Sequence, residues 1–398
     1  MKPKSNKPKV KAPKSLSSAN AGLRTWVEIS RSALKNNYQI FRQLIGKKTK
    51  LMAVVKSNAY GHDIFQFARE MERLGADWLA VDSIVEGTAL REHGAKAPIL
   101  ILGHTLPERL AKASGHNLDL SISTKEGLEA LVRAMEHVSN RGLRFHLKID
   151  TGMCRQGLRL AELPAIIRFL KQKSVPTENL VGIYTHFAAA KNPAFPRDTR
   201  QQSDLFRQAV GLIEKAGYSP IRHAAASSGT LLFPETHFDL VRIGISLYGL
   251  WPSAEVAAAL GDHIKLQPVL TWKTVVGETK KLKRGDRIGY DFTETLEQET
   301  VAGICPIGYW HGYPRALSSI GHVLVSGRRC RILGRVSMDI LIINLGPKAK
   351  DKVGEEVILI GKDGEKEVNA DELAALTGTT NYEIVTRLNP LMKRIYSK

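Results

Sequence analysis

The hydrophobic pattern changes once along the chain. From about residue 26 to residue 262, short apolar runs alternate with amphipathic stretches whose apolar residues recur every three or four positions. The runs stand at 51–55, 78–82, 99–102, 118–122, 144–149, 180–185, 221–226 and 239–243, and each reads as a buried strand. The stretches at 64–74, 85–93, 125–138, 163–173 and 199–216 read as helices, and the short connection around 107–114 carries the weakest helical pattern. Eight strands alternating with helices predict an α/β fold, a (β/α)8 TIM-type barrel. Beyond about residue 263 the helical period nearly vanishes. Short runs bounded by Gly, Pro and Asp follow at 270–278, 300–307, 322–325, 329–336, 340–344 and 356–360, which predicts a C-terminal antiparallel β domain. A short helix over 370–376, with Asn369 as N-cap, comes after them.

A length of 398 residues suits two domains, here a barrel over 25–262 and a β domain over 263–398. Residues 1–24 stand apart from both. The first 20 hold six lysines, three prolines and four serines with no acid, which predicts a basic, disordered tail. It has no apolar core, so it is not a secretory signal. No nucleic-acid motif follows it, and no nucleic-acid partner is expected. The net charge is +19, and about +13 remains without the tail lysines, a balance that favours anionic ligands such as a phosphate cofactor or a carboxylate. No apolar run approaches the roughly 20 residues of a membrane span, so no membrane partner is expected. Cys154, Cys305 and Cys330 are odd in number and not in CxxC spacing. They argue against a disulfide scaffold and a zinc site, and predict a reducing, cytoplasmic location.

In a parallel barrel, functional side chains gather where the strands end. Lys56 ends the first run, in Ala53-Val-Val-Lys56-Ser-Asn-Ala-Tyr60-Gly-His-Asp63. A lysine there is costly to desolvate, and a lowered pKa is what an amine needs to form a Schiff base. Taken alone, Lys56 is at least as readily a lysine snorkelling at a strand end. Arg155 follows the fifth run, in Lys148-Ile-Asp-Thr-Gly-Met-Cys-Arg155, and His186 ends the sixth. His223 and Ser227 belong to the seventh run and its exit, and Arg242, Gly244 and Ile245 close the eighth. Singly, His186 reads as a satisfied core histidine, Ser227 as a turn serine and Gly244 as a turn glycine. A buried arginine such as Arg242 needs a partner. Their collection at one barrel face points to a site.

These strings, in this order, closely resemble the motifs of alanine racemases from about residue 25 to the C-terminus. The resemblance implies pyridoxal 5'-phosphate (PLP) carried by Lys56 as a Schiff base. It implies that Tyr60, Ser227, Gly244 and Ile245 hold the phosphate, that Arg242 faces the pyridine nitrogen with His223 supporting it, and that His186 packs by the ring. Arg155 would grip the substrate carboxylate, and Lys148 matches a lysine often carbamylated in this family, where it orients that arginine. In the β domain, Ile288-Gly-Tyr290-Asp, Pro306-Ile-Gly-Tyr309 and Gly334-Arg-Val-Ser-Met338-Asp339 resemble family strings. By that resemblance the chain is a homodimer with shared active sites. Tyr290 is the second catalytic base and serves the partner's site, Met338 and Asp339 lie beside the substrate there, and Tyr309 and Arg315 sit in the entry passage. Without the resemblance, Tyr309 reads as surface packing.

The implied reaction interconverts L- and D-alanine, supplying D-alanine for peptidoglycan, with Lys56 on one face of the substrate Cα and Tyr290 on the other. A phenol with an ordinary pKa near 10 needs positive charge nearby to act as a base, and Arg155 is the candidate. The alternatives are a racemase of broader specificity, a decarboxylase of similar build, and a non-catalytic PLP-binding protein. The β domain with Tyr290 counts against the last, and the lack of a decarboxylase-type cysteine motif counts against the decarboxylase. Four positions depart from the family pattern: Asp63 and Cys154 replace glycines, Ala226 replaces an asparagine, and Pro390 replaces a tyrosine that touches the phosphate in some members.

Overall fold

A computed structural model describes residues 22–136 and 143–397. Most of the expected tail, and the end of the expected helix at 125–138, lie outside the described residues. The chain forms two units, one of residues 30–269 and one joining the stretch up to Ile29 to Leu270–Ser397.

The first strand, β1 (Thr25–Ser30), belongs to the second unit. Eight strands of the first unit follow: β2 (Lys50–Val54), β3 (Trp78–Val81), β4 (Ile99–Ile101), β5 (Leu118–Ile122), β6 (Phe145–Lys148), β7 (Leu180–Tyr184), β8 (Ile221–His223) and β9 (Leu240–Ile243). They form one sheet in the order β8-β7-β6-β5-β4-β3-β2-β9. The ring is drawn together where Asp239 donates its backbone N–H to the Arg222 carbonyl (3.1 Å) and Arg242 to that of Ala225 (2.9 Å). All eight expected strands are therefore present, in a barrel.

These strands are apolar on both faces because one faces the barrel interior and the other the helices. β3 and β5 are buried at every position. The helix Arg31–Ile45, not named among the expected ones, buries Leu34, Tyr38, Phe41 and Ile45 at a spacing of three and four, and Ser30 caps it. The weak third connection is a 3₁₀ turn, Pro107–Arg109, followed by the short helix Leu110–Gly115. Gly182 on β7 is needed for a local reason: a Cβ there would collide with the His146 ring on β6.

The second unit adds β10 (Leu270–Val275), β11 (Glu278–Leu282), β12 (Arg287–Ile288), β13 (Glu294–Thr295), β14 (Thr300–Cys305), β15 (His322–Val325), β16 (Arg328–Leu333), β17 (Leu341–Gly346), β18 (Glu356–Asp363), β19 (Lys366–Val368) and β20 (Lys393–Ser397). The main sheet runs β11-β14-β17-β16-β15-β18-β10-β1-β20, and pairs such as β14–β17 and β10–β18 are antiparallel. Two differences from the sequence expectation have clear causes. Residues 25–29, placed with the barrel by their position in the chain, form β1 beside β10, with Trp26 and Val27 fully buried. The single strand expected at 270–278 breaks at Val276 and Gly277, because β10 pairs with β18 whereas β11 pairs with β14. The helix Ala370–Leu376 stands where expected, and Asn369 Oδ1 accepts from the Glu372 N–H at 2.8 Å.

Candidate active site

Beyond β2 the backbone makes an unusual turn. Ser57, Asn58, Ala59 and Tyr60 all have left-handed φ, between 50° and 55°. Such a run costs free energy in L-residues. It is secured by Asn58, whose Oδ1 accepts from the Ile64 N–H (3.1 Å), and by Gly61 at φ 85°. The turn leaves Lys56 at the strand end, half-buried, with its Nζ donating to Asp82 Oδ1 at 2.9 Å.

The same turn carries Tyr60 to the end of β9. A Cβ on Gly244 would come within 2.7 Å of the Tyr60 hydroxyl, so glycine leaves room for it. Gly244 in turn donates its N–H to Ser227 Oγ at 3.1 Å, and Ile245 opens the turn that follows. Tyr60, Ser227 and Gly244 thus converge from three separate segments. Burial pushes the Tyr60 hydroxyl well above its ordinary value, so it stays a neutral donor. Its ring packs on Tyr248, whose hydroxyl donates to the Val54 carbonyl at 2.9 Å.

Arg242 on β9 is 3% exposed. Its guanidinium donates to the carbonyls of Thr185 (2.7 Å), Ala224 (2.9 Å) and His223 (3.0 Å). It also meets His223 Nδ1 at 3.0 Å and His186 Nδ1 at 3.3 Å, and its charge lies over the Tyr184 ring at 5.2 Å. Burial lowers its pKa to about 10, which still leaves it charged at neutral pH. With no carboxylate among these contacts, the positive charge acts on its neighbours. Burial, and Arg242 after it, drives His223 well below its ordinary value. Burial with Arg242, Arg155, Lys148 and Lys56 takes His186 down to about 3. Both histidines are neutral acceptors toward the arginine. His223 Nε2 therefore carries the proton and donates to His146 Nδ1 at 2.9 Å.

Lys148 on β6 donates to Gln156 Oε1 at 2.8 Å and stands 5.6 Å over the Tyr184 ring. Burial, with help from Arg155 and Arg242, lowers its pKa to about 8. Arg155 is exposed on the loop after β6. Asp150 Oδ1 shapes that loop by accepting the N–H groups of Gly152 and Cys154, both at 3.0 Å. Cys154 has φ 53°, a conformation that glycine meets without strain.

In the second unit, backbone bonds tie Tyr309 to Ser337 (3.1 Å) and Trp310 to Met338 (3.0 Å). Asp291, next to Tyr290, pairs with Arg335 at 3.3 Å, and Asp339 lies 4.0 Å from His311. Arg315 joins the same loop through Ser318, whose Oγ donates to the Arg315 carbonyl and accepts from the Val336 N–H. Tyr290, Tyr309, Met338, Asp339 and Arg315 thus gather around one loop, 334–339, and are exposed. Pro390 is exposed as well.

Sequence reasoning missed Asp82, Gln156, His146 and Tyr184. The alternation His146-Leu-Lys148 on one strand face could have revealed His146. Asp82 ends its strand as Lys56 does, a signal that was available.

The matches to known proteins follow the same two units. The alanine racemase N-terminal domain matches residues 29–252, and the alanine racemase C-terminal domain matches residues 269–396. The chain belongs to the alanine racemase family. It is accordingly an isomerase. The alanine racemase of Symbiobacterium thermophilum is 41% identical, over 94% of this chain and 97% of that relative. That of Leptospira interrogans is 37% identical, over 93% and 95%. The crystal structure of alanine racemase from Bacillus anthracis with bound L-Ala-P is 34% identical and covers 94% of this chain and 95% of its own, with a TM-score of 0.88. Alanine racemases as a family use PLP, and the residues present fit that group. The cup of Tyr60, Ser227 and Gly244 offers neutral hydroxyl donors to a phosphate, and glycine at 244 leaves the Tyr60 hydroxyl the room it needs to reach the cup. Lys56 offers the amine, and Arg242 a fixed charge. Among the described residues, no group of three or more His, Cys, Asp or Glu could hold a metal ion.

Proposed function

We propose that this chain interconverts L- and D-alanine with PLP held on Lys56, as a cytoplasmic homodimer that supplies D-alanine for peptidoglycan. What carries the reading is one arrangement: Lys56 and a carbonyl-locked Arg242 at the strand ends of one barrel, beside a cup of neutral donors. Tyr60, Ser227 and the backbone of Gly244 and Ile245 would hold the phosphate. Bound there, the cofactor supplies an electron-withdrawing ring that makes the substrate's Cα proton removable. Arg242 stays charged and disfavours a second positive charge on the ring nitrogen, which moderates that withdrawal and limits stray transamination. Its grip by three carbonyls, with neutral His223 behind it, keeps it oriented. His186 would pack by the ring as a neutral imidazole.

Arg155 would hold the substrate carboxylate through its guanidinium fork, with Lys148 and Gln156 beneath. The Lys56 amine would exchange the Cα proton on one face. The phenol of the partner's Tyr290 would do so on the other, with Met338 and Asp339 of the partner subunit beside the substrate. Two further observations support a second copy: Tyr290 is 68% exposed, and Phe292, Trp310, Met338 and Ile340 around it are exposed too.

A racemisation assay over a panel of L-amino acids, with the cofactor's visible absorbance recorded in parallel, tests this reading. Alanine should be the preferred substrate. A panel in which larger amino acids react equally well would favour the broader racemase, and Cys154 beside Arg155 is the position to examine for it. Lys56→Ala should lose both the absorbance of lysine-bound cofactor and essentially all racemisation. Borohydride reduction and peptide mapping should place the label on Lys56. No racemisation of alanine, or a label on another lysine, would overturn the proposal.

A further inference from the structure

Lys56 is held by a carboxylate that none of the roles above uses. Asp82, at the end of β3, receives the Lys56 ammonium at 2.9 Å. This carboxylate is not placed loosely. The Asp82 N–H donates to Glu86 Oε2 (2.9 Å), while Glu86 Oε1 accepts from the N–H of Ser57, the residue after the lysine (2.7 Å). One glutamate thus fixes the backbone on both sides of the ion pair. The Asp82 carbonyl accepts from the Gly103 N–H at 2.9 Å. A Cβ at Gly103 would strike that carbonyl and come within 3.2 Å of Asp82 Oδ2.

We propose that Asp82 is the counter-ion of Lys56 whenever the lysine is released from the cofactor, and that it favours exchange of the lysine for the substrate's amine. The inference rests on the reading of Lys56 as the cofactor lysine. In that exchange the substrate nitrogen bonds to the cofactor's aldehyde-derived carbon and the bond from that carbon to Lys56 Nζ breaks. The substrate enters as an ammonium and the lysine leaves as one, so the proton count balances. An ammonium on Asp82 is stabilised by the pair and is no nucleophile for the return step. Asp82 is therefore a positioning residue: it pairs with the released lysine as an ammonium at the strand end, the form from which Lys56 delivers a proton to Cα, and so biases the exchange forward. Both side chains are partly exposed, Lys56 by 36% and Asp82 by 55%, so the bias is moderate and screened by salt.

The test titrates the holoenzyme with 2-methylalanine, an amine that can displace the lysine but has no Cα proton to lose, and follows the cofactor absorbance. Asp82→Asn should weaken the apparent affinity about two- to fivefold at low salt, the range for an exposed ion pair. Its titration should depend less on salt than that of the wild type, and Asp82→Glu should recover part of the affinity. With alanine, KM should rise more than kcat falls. Gly103→Ala should shift the titration in the same direction with both charges in place. Borohydride mapping runs in parallel. A label on another lysine would overturn the Lys56 reading itself. A label on Lys56 with Asp82→Asn titrating like the wild type at every salt concentration would overturn the role of Asp82 alone.

Discussion

At position 244 the absence of a single methyl group decides whether a tyrosine hydroxyl can reach the end of β9. Gly244→Ala should push Tyr60 aside, since the added Cβ would stand 2.7 Å from its oxygen. A hydrogen bond to a charged group is worth about 1.5–3 kcal/mol, so PLP retention, measured by equilibrium dialysis, should fall about tenfold or more while the barrel stays folded. The neutral histidines make a second prediction. His186, at about 3, and His223, well below its ordinary value, bind fewer protons folded than unfolded once the pH falls through the unfolded value near 6.5. Folding stability should therefore drop from pH 7 to pH 5 by about 2 kcal/mol in all for each histidine held neutral, the slope approaching about 1.4 kcal/mol per pH unit below the unfolded value. Lys148 adds nothing to that slope, because its own penalty develops between the ordinary lysine value and about 8. Urea unfolding at pH 7, 6 and 5 measures it, and His186→Gln should flatten the slope.

Among the elements, the left-handed turn after β2 is the one built at a cost. It sets Lys56 at the strand end and delivers Tyr60 to Gly244. Asn58 tolerates left-handed φ better than alanine and also bonds the Ile64 N–H. Asn58→Ala should destabilise the protein by about 2 kcal/mol, combining backbone strain with one lost hydrogen bond. Asn58→Gly keeps the conformation and loses only the bond, so it should cost less. Comparable urea midpoints for the two variants would show that strain in this turn is not what Asn58 relieves. Gly182 works in the opposite sense on β7: it removes a side chain so that His146 can reach His223.

For the whole molecule the question is how many copies make one site. The exposed face around loop 334–339 bears Tyr290 at 68%, Trp310 at 57% and Met338 at 55% exposure, large apolar side chains of the kind that a second copy would cover. Mixing inactive Lys56→Ala with inactive Tyr290→Phe subunits should restore activity, because one site of each hybrid dimer carries both native bases. Random exchange should return about a quarter of the wild-type value, since half the dimers are hybrids with one intact site each. No recovery, with subunit exchange shown by mass, would mean that each chain completes its own site. Among the described residues, no helix is long and apolar enough to cross a membrane.

The eight barrel strands were legible because a strand buried on both faces needs an unbroken apolar run, and each run here stands where its strand stands. The ends of those runs also put Lys56, Arg155, His186, Ser227 and Arg242 in or after the strands that carry them, on the side where parallel strands place their C-terminal ends. The asparagine cap at Asn369 was local and could be read as well. Pairing between distant segments was not. Whether residues 25–29 joined the barrel or the sheet depended on a partner some 245 residues away, at β10. The break at Gly277 likewise followed from β10 and β11 choosing different neighbours. The contacts of Asp82 with Lys56, Gln156 with Lys148, and His146 with His223 arise where strand ends and loops meet in space. A side chain's partner there is set by the closing of the barrel and by its own rotamer. Neither is written in the hydrophobic period of the segment that carries it.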